Sequence, residues 1–208
     1  MRLICLSDTH SEIIDNVPDG DVLIFAGDFS GMGTMMDVLN FKSWLNSLPH
    51  RKKICIAGNH DRYLAEYNHI GRLLLESEDT VYLEDSSIII DGLKFYGSPW
   101  SPEFNNWFFM KPRGDEMAKV WAKIPTDTNV LLTHCPPYGI LDKNNRHQSC
   151  GCWDLAHRIK QLKQLKLHVF GHLHESHGIL EKDGVKFVNC SVLDDIYANV
   201  FEPIVIEV

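Results

Sequence analysis

Five short, largely apolar runs recur along the chain, and each ends beside a residue that can bind a metal ion. The runs are rich in β-branched side chains and are bounded by glycine or polar positions, which is typical of buried strands. In open α/β sheets, ligands collect beyond the carboxyl ends of the strands. The pattern therefore predicts one shared site at the ends of five strands. The runs occupy residues 2–6, 21–26, 53–57, 129–133 and 167–170.

Helical periodicity appears between these runs. Apolar residues three and four positions apart predict three amphipathic helices, each with one buried face. Asp154 is the predicted N-terminal cap of the third helix, and Pro49 is predicted to end the first. The three faces contain Val38, Phe41, Leu45 and Leu48, then Met117, Val120, Trp121 and Ile124, and finally Leu155, Ile159 and Leu162.

Two hairpin signals complete the pattern. Asp91-Gly92 and Asp183-Gly184 each separate two apolar runs, which is the strongest short-range signal for a β-hairpin. Residues 203–208 predict a last strand. This order of elements predicts an α/β protein in which two packed sheets carry helices on their outer faces.

The composition argues against several classes of protein. With 208 residues, 44% hydrophobic and 23% charged, the chain is typical of one soluble globular domain, which we expect to span residues 1–208. The formal net charge of −8 argues against a general nucleic-acid binder. No apolar stretch reaches the roughly 18 residues that cross a membrane, and we expect no signal peptide. Six scattered cysteines favour reduced thiols and a cytoplasmic location.

The residues that follow the runs offer only nitrogen and oxygen donors. Seven such residues are more than one tetrahedral zinc with an open position needs. They therefore predict two divalent or trivalent metal ions that share one carboxylate ligand. Such a donor set suits Mn, Fe or Zn, and we expect Mn, with Fe or Zn as the alternatives. The seven expected metal ligands are Asp8, His10, Asp28, Asn59, His134, His172 and His174.

The seven residues lie in five short sequence blocks along the chain. The blocks and their order resemble those of the calcineurin-like metallophosphoesterases. The resemblance implies a four-layer αββα sandwich of two mixed β-sheets flanked by helices. It also implies that Asp28 lies between the two ions. The blocks are Asp8-x-His10, Gly27-Asp28, Gly58-Asn59-His60-Asp61, His134 and Gly171-His172-x-His174. By this resemblance Asp8, His10, Asp28 and His174 would bind the first ion, and Asp28, Asn59, His134 and His172 the second.

Further residues outside the blocks also carry a resemblance, namely 96–102, Phe104-Asn105, Trp107, Arg113-Gly114 and Pro136-Pro137. They are similar to the small metallophosphoesterase-domain-containing phosphodiesterases, of the class III cyclic nucleotide type. This similarity implies hydrolysis of phosphodiesters, including cyclic nucleotides. Some members of that branch have glycine where this chain has His172, so the second metal site is expected to be complete. The Asp-Arg-Gly motif of the protein serine/threonine phosphatases is missing after Asp28.

His60 stands beside the expected ligand Asn59 but is not counted as a ligand. We expect His60 to act as a general acid that protonates the leaving alkoxide, and Asp61 to orient it or raise its pKa. Asn59, His60 and His134 are the expected substrate contacts. Residues 100–113, rich in aromatic side chains, are either a substrate-facing lid or ordinary core.

The leading interpretation is a dinuclear-metal-dependent phosphodiesterase acting on a small molecule. One alternative is a nuclease acting on DNA or RNA, which the net charge and the shortage of Lys/Arg-rich stretches disfavour. An alternative of another class is a metal-holding scaffold module with little catalysis, which the complete ligand set disfavours. We expect a small phosphoester as the partner, and neither a membrane nor a nucleic acid. The sequence leaves the oligomeric state open.

Overall fold

The five apolar runs of the sequence are strands in the computed structural model, which describes residues 1–198 and 200–208. None of the helices in these residues is long and apolar enough to cross a membrane. The helices are α1 (Met35–Ser47), α2 (Arg62–Glu66), α3 (Asn68–Leu75), α4 (Asp115–Ala122) and α5 (Trp153–Ile159). The strands are β1 (Arg2–Leu6), β2 (Val22–Ala26), β3 (Lys52–Ile56), β4 (Thr80–Tyr82), β5 (Ser86–Ile90), β6 (Leu93–Ser98), β7 (Ser101–Pro102), β8 (Met110–Lys111), β9 (Val130–Thr133), β10 (Leu167–Phe170), β11 (Gly178–Lys182), β12 (Val185–Asn189) and β13 (Ile204–Glu207).

Two mixed sheets form the centre of the structure. The first has the strand order β13-β1-β2-β3-β4, with β1 to β4 parallel and β13 antiparallel to β1. The second has the order β11-β12-β10-β9-β6-β5. In this second sheet the four inner strands are parallel, and the two edge strands are antiparallel. The five strands that precede the predicted metal ligands, β1, β2, β3, β9 and β10, therefore lie inside parallel regions, which end at the same edge.

Both predicted hairpins are present. Asp91 and Gly92 join β5 to β6 with φ values of 48° and 81°, and Ile90 pairs directly with Leu93. Two consecutive left-handed residues between paired strands form the tight turn that Asp-Gly favours. The Asp183-Gly184 turn between β11 and β12 has the same form, with φ values of 52° and 77°.

Three apolar clusters hold four layers together. One fills the space between the sheets and includes Ile24, Ile54, Phe95 and Val169. A second packs α1 against the outer face of the first sheet, and a third packs α4 and α5 against the outer face of the second. Burying each large apolar side chain contributes about 1.5–3 kcal/mol. The expected αββα sandwich of two mixed sheets flanked by helices is confirmed.

Of the two predicted helix ends, one is confirmed and one is wrong. A capping box of Thr34 and Asp37 begins α1, which ends before Pro49 as predicted. The prediction that Asp154 caps α5 is wrong, because Cys152 is the N-cap and makes no side-chain cap bond. The Asp154 carboxylate instead accepts a hydrogen bond from the Gly114 backbone N–H at 3.2 Å, which ties α5 to the start of α4.

Candidate metal centre

The predicted ligands come together where the parallel strands end. Asp8 follows β1, Asp28 follows β2 and Asn59 follows β3 in the first sheet, whereas His134 follows β9 and His172 follows β10 in the second. His10 lies two residues after Asp8, and His174 lies two residues after His172. All seven thus lie at the edge where the two sheets face each other.

Left-handed backbone brings several of these side chains inward. The φ angles are 56° at Asp8, 45° at His10, 56° at Asp28 and 70° at His172. A residue with a Cβ atom rarely adopts this region, and outliers of this kind cluster at functional sites. These residues lie in the loops that follow β1, β2 and β10, and their donor atoms lie close together within each group described below.

The first group of donors consists of Asp8, His10 and His174. Their ligand atoms all lie within 4.8 Å of one another. The Nε2 atom of His174 is 3.5 Å from Oδ1 of Asp8 and 3.4 Å from Nε2 of His10. Its Nδ1 atom lies 3.0 Å from the Asp194 carbonyl oxygen, so the Nδ1–H can donate there. That bond leaves Nε2 as the nitrogen for an ion.

The second group consists of Asp28, His134 and His172, again within 4.8 Å of one another. The Nε2 atom of His134 is 3.2 Å from Oδ2 of Asp28, 3.2 Å from Nδ1 of His172 and 3.0 Å from Oδ1 of Asn59. The Nδ1 atom of His134 lies 2.9 Å from the Ala26 carbonyl oxygen, which directs Nε2 toward the group.

This donor set fits two cations. In each group the imidazole nitrogens and carboxylate oxygens lie close together, and two of the three residues are buried, as is typical of the ligands of a cation. Asp28 contributes to the second group and also lies within 4.8 Å of a ring nitrogen of His10, a member of the first. Its carboxylate is therefore placed to serve both.

The buried charges of the centre stabilise one another. Burial raises the pKa of Asp28, but the charge and hydrogen bond of His134 outweigh it and lower that pKa to about 2. Burial lowers the pKa of His134, but Asp28 outweighs it and raises the pKa to about 9. Asp8 acts in the same way on His174, whose pKa also rises to about 9 despite burial. Burial lowers the pKa of His172 to about 3. Without a metal ion, His134 and His174 are therefore protonated at neutral pH and compensate the charges of Asp28 and Asp8. A bound cation would replace these protons, since metal ligands must be deprotonated.

Asp8 is fixed by neighbours that the sequence analysis did not single out. Its Oδ2 atom accepts hydrogen bonds from the Ser191 hydroxyl at 2.8 Å, from the Ser7 hydroxyl and from the His172 backbone N–H at 3.0 Å. Ser7 and Ser191 also form a parallel bridge that joins the ends of the two sheets. Ser7 adjoins the first block in sequence, but no sequence signal marks Ser191.

Two glycines permit the close approach of backbone to ligand. A Cβ atom at Gly171 would overlap the Asp8 carboxylate. A Cβ atom at Gly58 would lie 2.6 Å from Cε1 of His134 and would overlap the Asp28 carboxylate. Glycine is required at both positions because any side chain would displace a metal ligand.

His60 lies on the wall of the centre. Its backbone N–H donates to Oδ1 of Asp28 at 2.7 Å, and its Nδ1 atom is 3.3 Å from the Gly31 carbonyl oxygen. A ring nitrogen of His60 lies within 4.8 Å of donor atoms of His10 and Asp28, so the ring is near the ions that these ligands would hold.

Asp61 is buried beneath the ligand loops. Its Oδ2 atom accepts hydrogen bonds from the backbone N–H groups of Gly58 at 2.7 Å and Asp28 at 2.9 Å, and its Oδ1 atom accepts from the Ser30 N–H at 3.0 Å. Burial raises its pKa to about 8 and the charge of Asp28 acts in the same direction, whereas the bonds from Gly58 and Ser30 oppose this rise. The carboxylate thus organises two ligand loops and makes no hydrogen bond to the His60 ring in the described residues.

A cleft of about 580 Å³ opens from the centre and includes His10, Asp28, Asn59, His60, His172 and His174 in its walls. Three aromatic side chains, Phe104, Trp107 and Tyr197, surround its metal-binding end, and we call them the aromatic collar. Phe104 packs against His172 with ring centroids 5.2 Å apart, and Tyr197 packs edge-on against His10 at 4.8 Å. No sequence signal marked Tyr197.

Residues 100–113 do not all lie in the same environment. Phe104 and Trp107 line the cleft, as does Arg113, whose guanidinium donates to the carbonyl oxygens of Gly151 and Cys150 at 2.9 Å each. Phe109 instead packs into the apolar cluster of the first sheet, with Trp100 and Phe108 against it. Some side chains of the stretch therefore line the cleft and others belong to the core, and a role as a substrate-facing lid stays a prediction.

A four-layer αββα sandwich with carboxylate, amide and imidazole donors at this edge defines the class of metal-dependent phosphoesterases. The chain belongs to the calcineurin-like phosphoesterase family, whose sequence model matches residues 1–176. It is thus a metal-binding hydrolase of a family that uses a dinuclear metal site.

Relatives extend the match over the whole chain. Metallophosphoesterase domain-containing protein 1 of Homo sapiens is 38% identical over 229 aligned positions, which cover 99% of this chain and 70% of that protein. A UPF0046 protein of Caenorhabditis elegans is 36% identical over 228 positions, covering 100% of this chain and 81% of that protein. One solved structure, 13% identical, superimposes with a TM-score of 0.69 over 90% of this chain and 89% of that chain, which shows a shared fold.

Proposed function

We propose that this phosphoesterase hydrolyses phosphodiesters of small molecules, with cyclic nucleotides as the leading substrate class. The observation that carries the proposal is the aromatic collar beside the metal centre. Phe104, Trp107 and Tyr197 offer ring faces and edges within the same cleft as the metal ligands. A phosphodiester that also carries a flat base would fit such a cleft, because base–aromatic stacking is sequence-tolerant and favourable.

We assign the ligands to two ions in the order that the family resemblance implies. Asp8, His10, Asp28 and His174 would bind the first ion, and Asp28, Asn59, His134 and His172 the second. The two donor groups and the shared position of Asp28 support this assignment. When bound, the ions would activate water and neutralise the phosphoryl charge. The imidazole-rich donors favour Mn, with Fe or Zn as alternatives.

His60 is assigned as the general acid. The Gly31 carbonyl oxygen can accept the Nδ1–H of His60, which leaves Nε2 to hand a proton to the leaving alkoxide. Asn59 and His60, which line the cleft, would contact the phosphoryl group. His134, also expected as a substrate contact, is fully buried and does not line the cleft, so its proposed role is that of a metal ligand. Asp61 supports this step indirectly, since it fixes the loops that carry Asp28 and His60.

The same domain is proposed to extend over residues 1–208. Strand β13 pairs with β1 through Leu3 and Ile206, and Tyr197 contacts the His10 and His174 rings, so segments after residue 176 contribute to the first sheet and the cleft. We also infer a reducing compartment such as the cytoplasm. All six cysteines are free thiols and five are buried, which supports this inference.

The proposal is tested with a panel of phosphate mono- and diesters assayed with Mn, Fe or Zn in turn. The panel contains 2′,3′- and 3′,5′-cyclic nucleotides, base-free diesters, phosphomonoesters and a short oligonucleotide. We expect kcat/KM to be highest for a cyclic nucleotide. Preference for the monoesters would overturn the diester assignment. Preference for the oligonucleotide, with rates that fall steeply with salt, would favour a nuclease.

A further inference from the structure

A second concave surface lies on the outer face of the second sheet. It has a volume of about 530 Å³ and is bounded by the Pro137–Ile140 loop, α5 with the residues that follow it, and the β11–β12 hairpin. We call it the α5 groove. It shares no lining residue with the metal cleft. Its volume falls within the range of about 300–1,000 Å³ that small-molecule sites occupy.

The floor of the α5 groove is apolar and one wall is aromatic. Ile159, Leu162 and Phe187 form buried parts of the floor. The rings of Tyr138 and Trp153 stack with centroids 3.7 Å apart and planes inclined by 19°, and Trp153 is 62% exposed. A large aromatic side chain that is held rigidly yet left exposed beside a concavity is typical of a binding surface.

The rim of the groove is basic although the chain is acidic. Lys160, Lys163 and Lys182 come from two separate segments, and His157 joins them, whereas Asp183 is the one carboxylate on the lining. In the part of the chain that the structure describes, none of the three lysines forms an ion pair within 4.0 Å. The Lys163 ammonium donates to the Lys160 carbonyl oxygen at 3.1 Å. Three ammonium groups without an ion-pair partner in the described residues thus lie at the rim of an apolar floor, in a chain of formal net charge −8.

We propose that the α5 groove binds a small organic anion with a flat apolar body. The body would lie on the apolar floor against the Trp153 ring, and the anionic group would face Lys160, Lys163 and Lys182. Concavity and volume favour a small ligand over a protein surface, since protein interfaces are generally flatter and larger. Charge complementarity with the lysine rim selects an anion.

The test uses the metal-loaded full chain and the probe 1-anilinonaphthalene-8-sulfonate, which combines a flat apolar body with one sulfonate. We expect saturable binding at one site by fluorescence titration and calorimetry. Replacing Lys160, Lys163 and Lys182 together by Gln should raise the Kd about tenfold, because three modest electrostatic attractions are lost. The matched control replaces Lys52, Lys119 and Lys166 by Gln, which removes the same charge outside the groove and should leave the Kd unchanged.

Two further measurements separate the components of the site. Trp153→Ala should weaken probe binding about fivefold or more while phosphoesterase activity stays unchanged, because a stacking surface is lost outside the metal cleft. The uncharged analogue N-phenyl-1-naphthylamine should bind about tenfold more weakly than the sulfonate.

Three outcomes would overturn the proposal. The first is equal affinity of the groove variant and its control. The second is probe binding that Trp107→Ala abolishes, since this would place the probe in the metal cleft. The third is concentration-dependent dimerisation in analytical ultracentrifugation that the groove variant removes, because the groove would then be an interface between two copies of the chain.

Discussion

The imidazole ring of His60 stacks on the indole ring of Trp107, with centroids 4.2 Å apart and planes inclined by 27°. The edge of the same imidazole meets the His10 ring at a centroid distance of 4.5 Å. Together with the Gly31 carbonyl at Nδ1, these contacts restrict the His60 ring to one orientation on the cleft wall. A ring held in this way has a defined direction, which the proposed role of His60 as a general acid would require.

His60→Gln should retain metal but lose turnover. We expect kcat to fall by about 10²–10⁴ for a diester with an alkyl leaving group, because the departing alkoxide then lacks a proton donor. The loss should be much smaller for a p-nitrophenyl ester, whose leaving group needs no protonation. Metal content by inductively coupled plasma mass spectrometry and kcat on both substrates are the measurements.

Asp28→Ala is the contrasting variant, since its carboxylate lies against both donor groups. It should lose metal and activity together. If His60→Gln keeps full activity on the alkyl diester, His60 is not the general acid. If it loses one ion per chain, His60 is a metal ligand instead.

Trp107→Ala should reveal whether the aromatic collar recognises a base. Trp107 is 41% exposed, so the substitution should cost little stability. We expect KM for a cyclic nucleotide to rise roughly tenfold, which corresponds to one lost stacking contact of about 1–3 kcal/mol. KM for a base-free cyclic diester should not change, and Trp107→Phe should restore most of the nucleotide affinity. Equal effects on both substrates would assign Trp107 to positioning His60 alone.

Gly171→Ala should weaken metal binding without abolishing the fold. The added Cβ atom would overlap the Asp8 carboxylate, which lies in the first donor group. We expect metal affinity to fall by about 10–100-fold, the usual effect of disturbing the surroundings of a metal ligand. Calorimetric Mn²⁺ titration of the metal-free protein measures it.

The control for this variant is Gly184→Ala, at a position with φ of 77° and open space around the glycine. That substitution adds only left-handed strain, of about 1–2 kcal/mol, far from the metal centre. It should lower stability and leave metal affinity unchanged. An unaltered Mn²⁺ affinity in Gly171→Ala would show that the loop can shift without displacing Asp8.

The sequence could predict the strands and the donor residues because both are encoded locally. A buried strand needs only a short apolar run, and the donors follow directly after each run, as at Asp28 and His134. The Asp-Gly hairpins are equally local. In contrast, Ser191 and Tyr197 reach the centre from loops with no periodic pattern, and only the assembled sheets bring them to Asp8 and His10.

Local sequence signals also did not determine which partner the carboxylates of Asp154 and Asp61 contact. Aspartate is a common N-cap residue, but the N-cap of α5 is Cys152, two residues before Asp154. The Asp154 carboxylate instead accepts a hydrogen bond from the Gly114 backbone N–H. Asp61 adjoins His60 in sequence, yet its carboxylate turns to the backbone of Asp28 and Gly58. Neighbouring positions do not determine side-chain direction in a loop, because hydrogen bonding to distant backbone decides it.

His168 provides a pH-dependent contribution to stability that is separate from the metal centre. Its Nε2 atom lies 2.8 Å from the Thr133 hydroxyl, which itself donates to the Cys135 carbonyl oxygen at 2.7 Å. The hydroxyl therefore accepts the Nε2–H, and the buried Nδ1 atom has no hydrogen-bond partner in the described residues. Protonating Nδ1 would place an unpaired charge in the core, so burial lowers the pKa of His168 to about 3.

Because this pKa is depressed from 6.5, the unfolded chain binds the proton first as the pH falls. Titration of His168 therefore does not change the free energy of unfolding well above pH 6.5. It lowers this free energy progressively as the pH falls from about 6.5 to 3. Between pH 7 and pH 5 the loss should be about 2 kcal/mol. His168→Gln keeps an N–H donor for Thr133 but cannot be protonated. Urea unfolding of both proteins across this range, at the same metal loading, should show a shallower loss in the variant. Parallel curves would mean that His168 stays neutral in the unfolded chain or gains a partner when protonated.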